Sequence, residues 1–109
     1  MTHKVKITVL RRELFRNLQE QYLADSKLGE CPFFEDGQEF LVDNEDHFHL
    51  LRTEFCPEVW DCVSRYVYSA LQGEFIMHGR TNDEKMMISC CDDGARPVIF
   101  KLERIDMEQ

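Results

Sequence analysis

The stretch KVKITVL alternates Val5, Ile7 and Val9 with Lys4, Lys6 and Thr8. A two-residue period gathers the apolar side chains on one face, so it predicts a strand half buried against a core. The pattern then changes. In RRELFRNLQEQYLADSK, Leu14, Leu18 and Tyr22 recur at every fourth position, with Phe15 and Leu23 beside them. That spacing predicts an amphipathic helix ending before Gly29. Gly29 and Pro32 mark a loop, EDG marks a turn, and QEFLVD reads as a short strand. NEDHFHLLRTEF follows neither period and reads as a loop.

The clearest helix is CPEVWDCVSRYVYSALQG. Pro57 suits its first position and Gly73 the position past its end. Val59, Val63, Tyr66, Val67, Ala70 and Leu71 form one apolar stripe. After a polar connection, MMISCC, the turn DDG and RPVIFKLERI predict a β-hairpin. In its second arm Val98, Phe100 and Leu102 lie on one face, and Ile99, Lys101 and Glu103 on the other.

The resulting order, β-α-β-α-β-β, predicts an α+β fold with a mostly antiparallel sheet and a C-terminal hairpin. The expected core is Ile7, Val9, Leu14, Leu18, Phe40, Val63, Val67, Val98, Phe100 and Leu102. A chain of 109 residues with 43% hydrophobic residues reads as one domain over 1–109. The pattern leaves the strand order and the oligomeric state open.

Composition narrows the partners. The net charge of −8 opposes a phosphate backbone, so no nucleic-acid partner is expected. Lys4, Lys6, Arg11, Arg12 and Arg16 read as a solvated strand edge and helix face. No apolar run is long enough to span a membrane, and the N-terminal stretch lacks the pattern of a secretory signal, so the expected location is cytoplasmic.

The five cysteines are the candidate chemistry. An odd number cannot pair completely within one chain, and a reducing cytosol keeps most of them as thiols. Cys56, before Pro57, falls at a helix start, where the helix dipole favours a thiolate. Cys62 lies beside the apolar stripe and reads as core. Cys31 precedes Pro32 in a loop. Cys90 and Cys91 are adjacent on a strand, so in a regular strand they point to opposite faces and one of them joins Cys56; a bulge would turn both to one side. The candidate metal set is Cys31, Cys56, Cys90 and Cys91, with zinc or another soft metal as the implied ion. No C-x2-C spacing is present. His47 and His49 share a face if extended, a spacing that permits chelation, although exposed loop histidines are the commoner explanation. The chain carries no Gly-rich phosphate loop, no G-x-S-x-G and no H-E-x-x-H.

The segments VKITVL, CPFFEDGQEFLVD, FCPEVWDCV and CCDDGARPVIFKLERI together resemble a family of small, uncharacterised bacterial and archaeal proteins of about this length. The matching positions are Cys31, Gly37, Phe40, Phe55, Cys56, Pro57, Trp60, Cys90, Cys91, Gly94, Arg96 and Pro97; residues 73–87 depart from the pattern. The resemblance implies the fold and the cysteine set, and no reaction. Three functional expectations follow. The first is a non-enzymatic binding module holding a soft metal or small ligand at the cysteines. The second is a thiol-based enzyme or redox protein with Cys56 as nucleophile. The third is a structural or interaction domain whose cysteines are core.

Overall fold

The computed structural model describes residues 2–43 and 55–108. The elements run β1 (Thr2–Arg12), α1 (Arg16–Tyr22), β2 (Glu39–Val42), α2 (Pro57–Leu71), β3 (Met86–Cys90) and β4 (Val98–Met107). Among these residues the strands form one four-stranded antiparallel sheet in the order β2-β1-β4-β3. The α+β class, the element order and the C-terminal hairpin agree with the hydrophobic pattern. The segment 44–54, which holds His47 and His49, lies outside the described residues.

The two-residue period of the strands decides which face is buried. Val5, Ile7 and Val9 of β1, Phe40 and Val42 of β2, Met87 of β3, and Val98, Phe100 and Leu102 of β4 are buried together. Against them packs the stripe of α2, with Val59, Val63, Tyr66, Val67, Ala70 and Leu71 buried. Each large side chain removed from water contributes about 1.5–3 kcal/mol relative to exposure. One end of this core is aromatic. Phe34 stands edge-on to Phe40, Phe55 and Phe100 with centroids at 6.0, 5.6 and 5.3 Å, a favoured arrangement for ring quadrupoles.

The first helix is shorter than its sequence period predicts. Arg11 and Arg12 extend β1 and pair with Ile99 and Val98, and α1 covers only Arg16–Tyr22. The long β4 offers partners for the backbone of Arg11 and Arg12, and that pairing overrides local helical periodicity. Leu14 and Leu18 are consequently half-buried rather than core. Gln19 is the fully buried residue of α1, and its Nε2 donates to the Leu28 carbonyl. The register of β1 on β4 shifts between Val9 and Arg11, leaving Leu10 as the extra residue of a bulge. The bulge puts Arg12 opposite Val98 on the core side and sends Arg11 outward opposite Ile99.

At the far end of the sheet one carboxylate ties β1 and β4 to the residue that precedes β3. Asp106 of β4 accepts from His3 Nδ1 of β1 at 2.7 Å, from Lys85 Nζ at 3.0 Å, and from Arg104 Nε and Nη2 at 2.8 and 3.2 Å. Arg104 Nη1 in turn donates to the carbonyls of Gly73 and Glu74, just past α2, at 2.6 and 2.8 Å. The Lys85 hydrogen bond, then those of Arg104 and His3, hold Asp106 well below the usual carboxylate range. Gly73 has φ of +81°, and a Cβ there would lie 2.5 Å from His3 Nε2, so both backbone and space require glycine. Among the described residues no helix is long and apolar enough to cross a membrane.

A thiol-lined cavity as the candidate functional site

At the opposite end, a cavity of about 130 Å³ opens where α2 begins, β3 ends and β4 begins. Its wall consists of Cys31, Phe34, Cys56, Glu58, Val59, Cys91, Asp92, Asp93, Arg96 and Val98. Three cysteines distant in sequence therefore share one wall, and each is brought there by a different local rule.

Cys56 is the last extended residue before α2, with φ −69° and ψ 124°. Pro57 fixes the first helical turn behind it. The Cys56 carbonyl accepts from Trp60 N at 3.1 Å, while its side chain makes no capping hydrogen bond among the described residues. The thiol is thus left over from the task of ending the helix.

Cys91 follows the alternation of β3. Met87 is buried and Ser89 half-buried, whereas Ile88 and Cys90 are exposed. The next residue, Cys91, turns to the cavity, where its Sγ accepts the N–H of Val98 at 3.3 Å and its own N–H donates to the Val98 carbonyl at 3.1 Å. Cys90 and Cys91 thus take opposite environments. Of the four cysteines expected to share a site, Cys90 stands outside the wall because it falls on the other face of the strand. The connection to β4 is also longer than a tight DDG turn. It runs over residues 91–97 and is closed by Asp93, whose Oδ1 accepts from Ala95 N and Arg96 N at 3.0 Å each.

Cys31 lies in the segment between α1 and β2. Arg12, aimed inward by the bulge at Leu10, donates from Nη1 to the Cys31 carbonyl at 3.1 Å and from Nε to Asp36 Oδ1 at 3.0 Å. Arg96 Nη1 donates to the Gly29 carbonyl at 3.2 Å. The backbone carrying Cys31 is therefore fixed by two guanidinium groups.

The electrostatics of the wall are acidic. Glu58, Asp92 and Asp93 face a single cation, Arg96, whose Nε already lies 3.4 Å from Asp93 Oδ2. Burial pushes the Asp93 carboxyl up, but the N–H groups of Arg96 and Ala95 and the Arg96 guanidinium together hold it below its ordinary range. Cys62, half-buried on α2 and packed against the core, shows the direction of the field. Burial first, then the charges of Asp92 and the neighbouring Cys91 and Cys90, push its thiol up.

Among the described residues no three His, Cys, Asp or Glu side chains are gathered closely enough to hold a metal ion as they stand. The wall instead presents sulfur-bearing side chains from three separate stretches to one small cavity. Sequence reasoning singled out the cysteines and missed Asp92, Asp93 and Arg12 as parts of the site. The Asp93-to-Arg96 turn has a local signal, an Asp two residues before a backbone N–H that it can accept. Arg12 had none, because its inward aim depends on a bulge. The chain matches no protein-family model, no curated protein and no solved structure.

Proposed function

We propose that this protein is a non-enzymatic binding module that takes a soft metal cation through the thiols of Cys31, Cys56 and Cys91. The observation that carries this reading is the wall itself: three cysteine side chains and an excess of carboxylates around one small cavity. Sulfur donors select soft and borderline ions such as zinc or cadmium. The surplus of Glu58, Asp92 and Asp93 over Arg96 favours a cation over an anion of the same size. Uptake draws the thiols together by rotation about χ1 at Cys31, Cys56 and Cys91, and releases their protons.

Elemental analysis of protein purified without a tag, followed by titration with cadmium(II) under reducing conditions, tests this. The expected result is one ion per chain with a thiolate-to-cadmium absorption band, lost in Cys56→Ser and Cys91→Ser and kept in Cys90→Ser. Absence of uptake, or uptake indifferent to Cys31, Cys56 and Cys91, overturns it.

A second reading has Cys56 as a reactive thiolate, favoured by its place at the start of a fifteen-residue helix with no side-chain capping bond among the described residues. The carboxylates of Glu58, Asp92 and Asp93 on the same wall weigh against it. Alkylation of Cys56 by iodoacetamide as a function of pH separates the two. A plateau reached well below the ordinary thiol range would favour the nucleophile.

A further inference from the structure

Three backbone carbonyls in the segment between α1 and β2 each accept a side-chain donor from a different element. Leu28 O accepts from Gln19 of α1, Gly29 O from Arg96 of the β3–β4 connection, and Cys31 O from Arg12 of β1. The two arginines flank the thiol. Arg96 also reaches Asp93, two residues from Cys91, so one guanidinium spans the loops that carry Cys31 and Cys91. Arg12 is paired with Val98, itself part of the wall, and grips Asp36 as well through its Nε and its backbone N–H. Cys56 and Cys91 adjoin a helix and a strand whose backbones are fixed by their own ladders. Cys31 adjoins no helix or strand; it packs against the core, and these hydrogen bonds fix the backbone around it.

We infer that Arg96 and Arg12 are positioning residues that strap the Cys31 segment across the cavity and thereby set whether the third thiol is available beside Cys56 and Cys91. The inference deepens the soft-cation reading and, in its effect on cation uptake, rests on it. Its geometric part stands separately. Arg96 is suited to the task because its planar fork presents donors in two directions, to a carboxylate and to a carbonyl, which a lysine ammonium does not reproduce. Both bonds are charge-assisted, the class whose loss costs most.

The test is the rate at which each cysteine of the intact, reduced chain is alkylated by iodoacetamide, read peptide by peptide by mass spectrometry, in wild type, Arg96→Ala, Arg12→Ala and Arg96→Lys. Cys90, exposed in all of them, is the internal standard. In Arg96→Ala the Cys31 rate rises roughly tenfold relative to Cys90, the factor that loss of one hydrogen bond to a charged group corresponds to. Cys56 and Cys62 keep their wild-type rates. Arg12→Ala moves Cys31 in the same direction, and Arg96→Lys does so despite retaining the charge. Unchanged Cys31 rates in Arg96→Ala and Arg12→Ala overturn the strap. A rise shared by Cys56 and Cys62 marks general loosening and overturns it too. Cadmium(II) titration supplies the second readout: in Arg96→Ala the midpoint of the thiolate absorption moves to about tenfold higher cadmium(II), the factor set by the same lost hydrogen bond. If the wild type takes up no cadmium, the soft-cation reading fails, and the alkylation contrast still decides the strap.

Discussion

The two ends of the sheet are built on opposite principles. Around Asp106 three donor side chains are matched to one acceptor. His3, Lys85 and Arg104 converge on one carboxylate, and Arg104 goes on to satisfy the carbonyls past α2. Around the cavity the shape comes from rings and aliphatic side chains, Phe34, Val59 and Val98, and three thiols share the wall, of which Cys56 makes no capping bond among the described residues and Cys91 accepts the Val98 N–H. A saturated cluster that joins β1, β4 and the end of α2 is what a fold needs to close. Sulfur atoms brought to one wall from three separate stretches are what a soft ligand needs. On the proposed soft-cation reading, substitutions at the Asp106 end should change stability, and substitutions of the cavity thiols should change binding.

The largest effect expected at the cavity end comes from its packing. Phe34 is buried and stands edge-on to four other rings. Phe34→Ala removes a full ring and leaves a void, so it should cost about 3–5 kcal/mol in urea unfolding. The loss should hardly change with ionic strength, because no charge is involved. A smaller loss, on the order of 1–3 kcal/mol, is expected at the other end for Gly73→Ala. There the new methyl meets the His3 ring and the backbone stands at φ +81°. If Gly73→Ala changes thiol alkylation more than it changes the unfolding midpoint, the separation of the two ends is wrong.

Acid sharpens the contrast further. Hydrogen bonds from Lys85, Arg104 and His3 place the folded pKa of Asp106 below its ordinary value. The unfolded chain, with a carboxyl near about 3.9, therefore binds the proton first. The cluster contributes stability above that pH, and the contribution is lost as pH falls toward the folded value. Urea midpoints measured from neutral pH down to about pH 3 should drop in the wild type and drop less steeply in Asp106→Asn. Added salt should weaken the wild type more than the variant. Equal slopes would mean that Asp106 is no anchor.

Most of the fold was legible because its signals are periodic. Val5, Ile7 and Val9, the α2 stripe and Val98, Phe100 and Leu102 announce their buried face, and all of them are buried. The cavity was legible only in part. That Cys90 and Cys91 part company follows from the two-residue repeat of a strand. That Cys31 joins them was in the list of cysteines but not in any spacing, since the segment carrying it has no regular structure to project. The extent of α1 was misread because Leu14, Leu18 and Tyr22 keep helical spacing while Arg11 and Arg12 find strand partners on β4. The inward aim of Arg12 follows from one extra residue at Leu10, a register event that depends on two strands at once and leaves no mark in either alone.

The smallest effect on stability is the most discriminating one. Cys90 and Cys91 are neighbours in the chain, equal in chemistry and opposite in environment. Cys90 is exposed at the end of an edge strand, so Cys90→Ser should alter stability by no more than about 0.5 kcal/mol. Cys91→Ser replaces a half-buried thiol that accepts the Val98 N–H. A hydroxyl can accept the same bond, so its cost should stay near the net value of one hydrogen bond, about 1 kcal/mol. Stability thus barely separates the two variants. Cadmium(II) uptake should separate them completely, kept by Cys90→Ser and lost by Cys91→Ser, because soft-ion affinity resides in sulfur and not in the shape that serine preserves. If both variants bind as the wild type does, the cavity wall is packing, and the two ends of the sheet differ in how they hold the fold but not in purpose.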